Sequence, residues 1–300
     1  MQKLIFKIKS KGHGAFYNTV IVGGLFRRMV LDFYHFVRSQ SQSTKLLGPQ
    51  YTRSRRLIEI DITYRCNLKC ISCNRSCSQA PTKEEMKVEQ IEEFIKESID
   101  KKVKWRRIRL VGGEPTLHSD FSMIIKLLLS YKEKYNSDLQ ITVVTNGFGN
   151  YVKEALSKLP KEIDIQNTLK STNNPFFFPF NMAPGDSFWY KNADYSNGCW
   201  IISRCGMGLT PSGYYPCAIA GGIDRIFSFG MGRKDLPSHD DLMVDHLRIF
   251  CGLCGHFRFA LPTRKRKISP RWEEAYNLYN RQKKAFSWRG DNSKRDLKRQ

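Results

Sequence analysis

Between residues 57 and 168 the sequence switches repeatedly between two hydrophobic periods, and this alternation narrows the fold more than any other feature. Leu57-Ile58-Glu59-Ile60-Asp61-Ile62 alternates apolar and polar residues and is rich in β-branched side chains, which predicts a strand. Thr82-Lys83-Glu84-Glu85 has the spacing of a capping box, with Thr82 expected to accept from the Glu85 amide. Met86, Ile91, Phe94, Ile95 and Ile99 then fall largely on one side of a helix. The rhythm continues with a strand over residues 107–111, a helix opening at Ser119, a strand over 139–145, a helix over 150–159 stopped by Pro160, and a strand over 162–168. Strands joined by helices predict a parallel sheet with right-handed crossovers, closed into a barrel or part of one. Ligand chemistry in such sheets gathers at the carboxyl ends of the strands. Loops carrying Cys66 onward, Gly112-Gly113-Glu114-Pro115, Thr145-Asn146-Gly147 and Asn167-Thr168-Leu169-Lys170 are therefore expected on one face.

After Pro175 the alternation stops, and aromatic and proline residues dominate up to Tyr190. A hairpin is predicted further on, with Gly208-Leu209-Thr210 going out, a turn at Pro211-Ser212-Gly213, and Tyr214-Tyr215-Pro216-Cys217 returning. A helix over 240–250 should deliver Cys251 and Cys254, and another is expected over 270–281.

The nine cysteines fall in two groups, Cys66, Cys70, Cys73 and Cys77, then Cys199, Cys205, Cys217, Cys251 and Cys254, with 121 residues between them. An odd count in two distant groups on a 300-residue chain does not read as a secreted disulfide framework, so metal sites in a reducing, cytoplasmic setting are expected. At 41% hydrophobic residues the chain can bury a core, and wholesale disorder is excluded. The net charge of +22 is concentrated at the ends. Residues 1–56 hold 11 Lys/Arg against Asp32 alone, and residues 258–300 hold 14 against 4 acids. The expected divisions are thus a basic N-terminal extension (1–56), a core (57–198), a cysteine-rich region (199–257) and a basic tail (258–300). The best apolar run, residues 15–26, is too short to cross a bilayer, which takes about 20 residues. Residues 20–37 suit an amphipathic helix, either docked on the core or lying on a membrane or partner surface.

Cys66-x3-Cys70-x2-Cys73 places three thiols on one short loop, and cysteine-only ligation favours iron–sulfur or zinc; Cys77 could complete a four-thiolate zinc site. The context resembles the radical S-adenosylmethionine (radical SAM) superfamily: the eight residues Cys66-Asn67-Leu68-Lys69-Cys70-Ile71-Ser72-Cys73 after strand one, Gly112 to Pro115 after strand two, and Thr145-Asn146-Gly147 after strand three. The resemblance implies an α/β fold, a partial (β/α) barrel of radical SAM type with a small cysteine-rich C-terminal auxiliary-cluster region. It implies further that Cys66, Cys70 and Cys73 hold a [4Fe-4S] cluster whose fourth iron takes S-adenosyl-L-methionine, and that one electron splits this molecule to give a radical that removes a substrate hydrogen. Gly112, Gly113, Glu114 and Pro115 would then lie against the methionyl part, with Glu114 accepting from its ammonium. Asn146, Asn167 and Thr168 would meet ribose or carboxylate. The residue before the third cysteine is usually aromatic in that superfamily and is Ser72 here, so no adenine contact is assigned.

The second group resembles the auxiliary half of SPASM and twitch radical SAM proteins. On that resemblance Cys205, Cys217, Cys251 and Cys254 would hold one auxiliary [4Fe-4S] cluster, with Cys199 as the alternative to Cys205; a structural zinc site would need the same four thiolates. The implied activity is oxidation or rearrangement of a small sugar-like or cyclitol-like molecule, with a flavodoxin- or ferredoxin-like electron donor. Lys170, Asp186 and Arg204 are the expected proton acceptors or substrate contacts. Two alternatives stay open: a peptide- or protein-modifying enzyme, and a non-enzymatic metal protein whose basic ends bind nucleic acid or membrane. For the last, Trp272, Tyr276, Tyr279 and Trp288 lie among the C-terminal cations where they could stack on bases, although helical spacing of the first three more often means packing. Nucleic acid is not the favoured partner; a peripheral anionic membrane contact stays open.

Overall fold

The computed structural model describes residues 29–168, 179–258 and 267–296. The apolar run at 15–26, Lys170 and most of the basic stretch at 264–267 lie outside the described residues, as does the Trp288 side chain.

Six strands form one sheet: β1 (Leu57–Thr63), β2 (Arg107–Gly112), β3 (Gln140–Thr145), β4 (Ile163–Asn167), β5 (Met207–Thr210) and β6 (Gly213–Tyr215). Their order is β4-β3-β2-β1-β5-β6, parallel throughout except for the β5–β6 hairpin. The result is a mixed α/β partial barrel, as the alternation of periods predicts. The hairpin expected from sequence is present, and β5 pairs in parallel with β1, Ile58 opposite Met207 and Ile60 opposite Leu209. The segment carrying the second cysteine group is thereby built into the same sheet as the first.

Alternation along the strands sorts their side chains by face. Ile58, Ile60 and Ile62 of β1, Ile108 and Leu110 of β2, and Ile141 and Val143 of β3 are buried beneath the helices Val88–Asp100 and Phe121–Tyr135, with Phe94, Trp105, Ile124 and Leu128 packed against them. Each such burial contributes about 1.5–3 kcal/mol. The opposite face carries Glu59, Asp61, Thr63, Arg109 and Thr142, turned into the barrel interior and also buried apart from the partly open Arg109. A second apolar cluster gathers on the helix Ala218–Phe227, where Phe180, Phe250, Trp272 and Tyr276 close over it.

The first helix starts later than expected. Residues 84–86 run back along the end of β1, with Tyr64 N–H donating to Glu84 O (3.0 Å) and Met86 N–H donating to Ile62 O (2.7 Å). Thr82 Oγ1 accepts from Glu84 rather than Glu85, and the helix opens at Val88, with the Gln90 side chain accepting from the Lys87 amide. Backbone pairing to β1 satisfies the groups that a capping box would otherwise serve.

Residues 29–38 are helical and dock through His35, whose ring packs on Tyr51 and Phe257, and Phe36, which meets Tyr190 edge-on. Val30, Leu31, Phe33 and Tyr34 stay exposed. At the other end the helix Pro270–Asp296 packs inward. Trp272 is fully buried and donates from Nε1 to Leu253 O (2.7 Å), the Tyr276 hydroxyl pairs with Ser76 Oγ (2.7 Å), and Tyr279 takes Arg225 (3.0 Å). Trp272, Tyr276 and Tyr279 are thus packing residues and not a platform for bases. Among the described residues no helix is long and apolar enough to cross a membrane.

Candidate active site

Three loops meet at the carboxyl end of the sheet, held by backbone and buried polar contacts. The chain leaving β1 accepts from the glycine loop twice, Gly113 N–H to Thr63 O (2.7 Å) and Glu114 N–H to Arg65 O (2.8 Å). A Cβ at Gly113 would run into Arg65 O, and Gly112 stands at φ 121°, so both positions require glycine for this close approach. Glu114 is completely buried. One of its oxygens accepts from the Thr116 and Thr145 hydroxyls (2.9 Å each) and the other from Asn146 N–H (2.8 Å), so its carboxylate joins the loop after β2 to the loop after β3. Asn146 Nδ2 reaches Asn67 Oδ1 (2.8 Å) inside the cysteine loop. Pro115 is buried in the short turn that follows.

Cys66, Cys70 and Cys73 line one cavity of about 290 Å³ together with Gly112, Gly113 and Asn146. Burial pushes the Cys66 thiol up to about 11, and Cys73 and Cys70 beside it add to the shift. Cys77 does not line the cavity and is a buried free thiol hydrogen-bonded to Cys73, a contact that, with burial, holds it well above the usual range.

The inner wall of the cavity is a buried charge network that sequence reasoning did not single out. Arg75 donates to Glu59 (2.8 Å) and to Asp61 (3.3 Å), while Arg109 donates to Glu59 (2.5 Å) and to Gln166 (2.9 Å). Burial drives Glu59 upward, but the two guanidinium groups outweigh it and hold it below its ordinary value. Asp61, fully buried and beside Glu59, goes the other way, raised to about 7 by burial against the pull of Arg75. The signal was the polar half of the alternating strands, Glu59 and Asp61 on β1 and Arg109 on β2.

The later cysteines lie in and around the second apolar cluster. Burial is the main cause that raises Cys217, Cys251 and Cys254, and the nearby Cys199 adds to it in each case; burial brings Cys199 and Cys217 to about 12. Cys199 and Cys217 sit at the amino ends of the helices Trp200–Arg204 and Ala218–Phe227, where amides of Ile201, Ile202 and Ala220 donate to sulfur and oppose burial. Cys251 lies in the last turn of the helix Val244–Leu253, followed by Cys254. Cys205 is turned instead into the cavity, against Glu59, Arg109 and Arg75; burial and Glu59 raise it to about 11. Cys199 thus lies near Cys217, Cys251 and Cys254, while Cys205, beside Cys199, packs against the same apolar cluster and also faces the cavity. Among the described residues no group of three or more His, Cys, Asp or Glu side chains is arranged closely enough to grip one metal ion.

Residues 60–174 match the family model described as the radical SAM superfamily. That stretch of the chain is similar to the radical SAM superfamily. Similar curated proteins include the GTP 3',8-cyclase of Nautilia profundicola, 33% identical over 116 residues (38% of this chain, 34% of that protein). The GTP 3',8-cyclase of Campylobacter jejuni subsp. doylei is 33% identical over 105 residues (34% of this chain, 31% of that protein). The chain thus spans about a third of the length of the relatives it matches. Among solved structures, BtrN in complex with AdoMet and 2-DOIA aligns with a TM-score of 0.40 at 12% identity, over 73% of this chain and 98% of that one. Streptococcus suis SuiB bound to S-adenosylmethionine aligns at 0.27 and 17% identity, over 53% and 30%. Both scores are too low to transfer anything.

Likeness to the radical SAM superfamily implies S-adenosylmethionine and a [4Fe-4S] cluster. The donor set fits: three thiols on one eight-residue loop face a cavity bordered by glycine backbone. Of the other expected contacts, Thr168 lines the cavity and donates to Thr145 O (2.9 Å), whereas Asn167 lies at the end of β4 against Gly147. Asp186 does not line it, being held by Arg271 at 2.8 Å, and the exposed Arg204 side chain does not either. His118 is structural, with Nε2 donating to Met86 O (2.8 Å) and Nδ1 accepting from Asp120 N–H (2.9 Å).

Proposed function

We propose that this radical SAM protein is an enzyme acting on a small, hydroxyl-rich molecule of sugar or cyclitol type, with one auxiliary [4Fe-4S] cluster on Cys199, Cys217, Cys251 and Cys254. The observation that carries the reading is the cavity itself, where Cys66, Cys70 and Cys73 face a wall of Glu59, Arg109, Gln166 and Thr168. Bound at the three-cysteine loop, the cluster with S-adenosylmethionine would supply the one-electron cleavage and hydrogen abstraction of this superfamily. The protein's residues do the rest. Gly112 and Gly113 give backbone access, Asn146 is held by Asn67, and Arg109 and Gln166 offer a donor fork and an amide to substrate oxygens. Glu59, kept ionised by its two arginines, and His256 are titratable groups on the cavity wall that could take a hydroxyl proton in place of Asp186 or Arg204. Electrons would come from a flavodoxin- or ferredoxin-like donor.

The test is anaerobic reconstitution followed by assay of iron, sulfide and 5′-deoxyadenosine under dithionite. About eight irons and steady 5′-deoxyadenosine release are expected, with oxidised product from a sugar and cyclitol panel. Bound zinc without 5′-deoxyadenosine would overturn the reading.

A further inference from the structure

The amino-terminal end of the sheet, opposite the cysteine loops, carries a different chemistry. Two cavities of about 460 and 580 Å³ open there, sharing Arg53, Arg55 and Arg56 just ahead of β1. Lys101, which pairs with Glu97 (3.9 Å), and Lys102, Lys104 and Arg106 complete the cationic lining, and Val103, Trp105 and Pro237 provide an apolar wall. Among the described residues, none of Arg53, Arg55, Arg56, Lys102, Lys104 and Arg106 has a carboxylate within salt-bridge distance.

Arg53 is the second, independent sign. Only 5% of it is exposed, yet it is held by neutral acceptors, Met207 Sδ (3.0 Å) and Ser238 O (2.8 Å), and its Nε has no partner among the described residues. A guanidinium taken out of water with only Asp241 among the described residues, beyond salt-bridge distance, as counter-charge is costly, and an anion in the adjoining cavity would offset that cost. Arg55 donates toward His239 Nε2 (3.0 Å), which leaves the rest of its fork open to the cavity. Lys102, at φ 52°, sits in the left-handed region that side chains rarely adopt.

We propose that this end of the sheet binds an organic phosphate. Its phosphoryl oxygens lie on Arg53, Arg55 and Arg56, and its apolar part lies over Val103 and Pro237. Several cations without acids call for an anion of more than one charge, and guanidinium forks match phosphate oxygens two at a time. A single carboxylate would leave most of the charge uncompensated. The apolar wall and a volume of about 580 Å³ suit a nucleotide or a lipid headgroup, and either source presents the same phosphoryl chemistry.

The experiment is titration calorimetry of the full chain with inorganic pyrophosphate, ATP and adenosine, alongside co-sedimentation with phosphatidylcholine vesicles with and without phosphatidic acid. Saturable binding of pyrophosphate and ATP but not adenosine is expected, weakened about tenfold or more in Arg55→Gln/Arg56→Gln and in Arg53→Lys, which keeps the charge but loses the fork. Binding restricted to phosphatidic acid vesicles but lost in the same variants also supports the site and assigns it to a lipid source. The control Lys298→Gln/Arg299→Gln, in the basic tail, should bind as the parent does. Equal weakening in that control, binding that survives the arginine variants, or no binding of any of these anions would overturn the proposal.

Discussion

The two cysteine groups are assembled by opposite routes. Cys66, Cys70 and Cys73 come from eight consecutive residues on one loop and face a cavity, so their relative placement is local. Cys199, Cys217, Cys251 and Cys254 come from three helix ends spread over 56 residues and lie inside the second apolar cluster and its margin. The first site can lose its ligands with little loss of packing, whereas the second is part of what holds residues 180–276 together. Arg75 stands between them, bonded to Glu59 and Asp61 on β1 and close enough to Cys217 to influence its thiol.

The contrast can be broken most severely at the first site. Cys66→Ala/Cys70→Ala/Cys73→Ala should abolish 5′-deoxyadenosine formation while keeping about four irons and a near-parental urea midpoint. A large drop in that midpoint would mean that the loop is structural after all. Next in size, Arg75→Met leaves Asp61 without a cation and Glu59 with only Arg109, and should cost about 3–5 kcal/mol in urea unfolding. A change near zero would show that the network does not join the two halves. The second site is sharpened by paired variants. Cys199→Ser should lose about four irons and some thermal stability, whereas Cys205→Ser should keep about eight. The reverse result would restore Cys205 as a ligand.

The smallest effect is a pH dependence. Burial lowers the pKa of His35 below its ordinary 6.5, outweighing the hydrogen bond to Gln50. The unfolded chain therefore binds a proton that the folded one resists, so stability is full above about 6.5 and declines as pH falls below it. His35 packs on Phe257, beside the second cysteine group, so its own contribution to the melting temperature should fall between pH 7 and 5, while protonation of Asp61, raised to about 7, adds stability over the same range. His35→Gln should therefore hold a higher melting temperature than the parent at pH 5 relative to pH 7, and an unchanged slope would remove His35 as a contributor.

Much of the barrel was legible because its signals are local. The β-branched alternation of residues 57–62, the Gly-Gly-Glu-Pro stop and the Pro211-Ser212-Gly213 turn each determine their own backbone. The side of β1 on which the hairpin docks was not legible, since pairing of Ile58 with Met207 joins positions 149 residues apart. Nor was the choice between Cys199 and Cys205. They bracket a helix of five residues, and only the docking of that helix decides which thiol meets Cys217 and which meets Glu59. Alternation on β1 announced a strand but not that its polar side, Glu59 and Asp61, would be enclosed, because enclosure depends on Arg75 and Arg109 arriving from elsewhere. Glu114 was expected to reach outward to a ligand, and its two oxygens accept from Thr116, Thr145 and Asn146 within the protein.

That last arrangement has a mechanical consequence. Glu114 binds the loop after β2 to the loop after β3, Gly113 binds it to the chain leaving β1, and Asn67 closes the ring through Asn146. A ring of this kind has no independent joint, so the mouth of the cavity opens or shuts as a unit, and a ligand that orders one loop has in effect ordered all three.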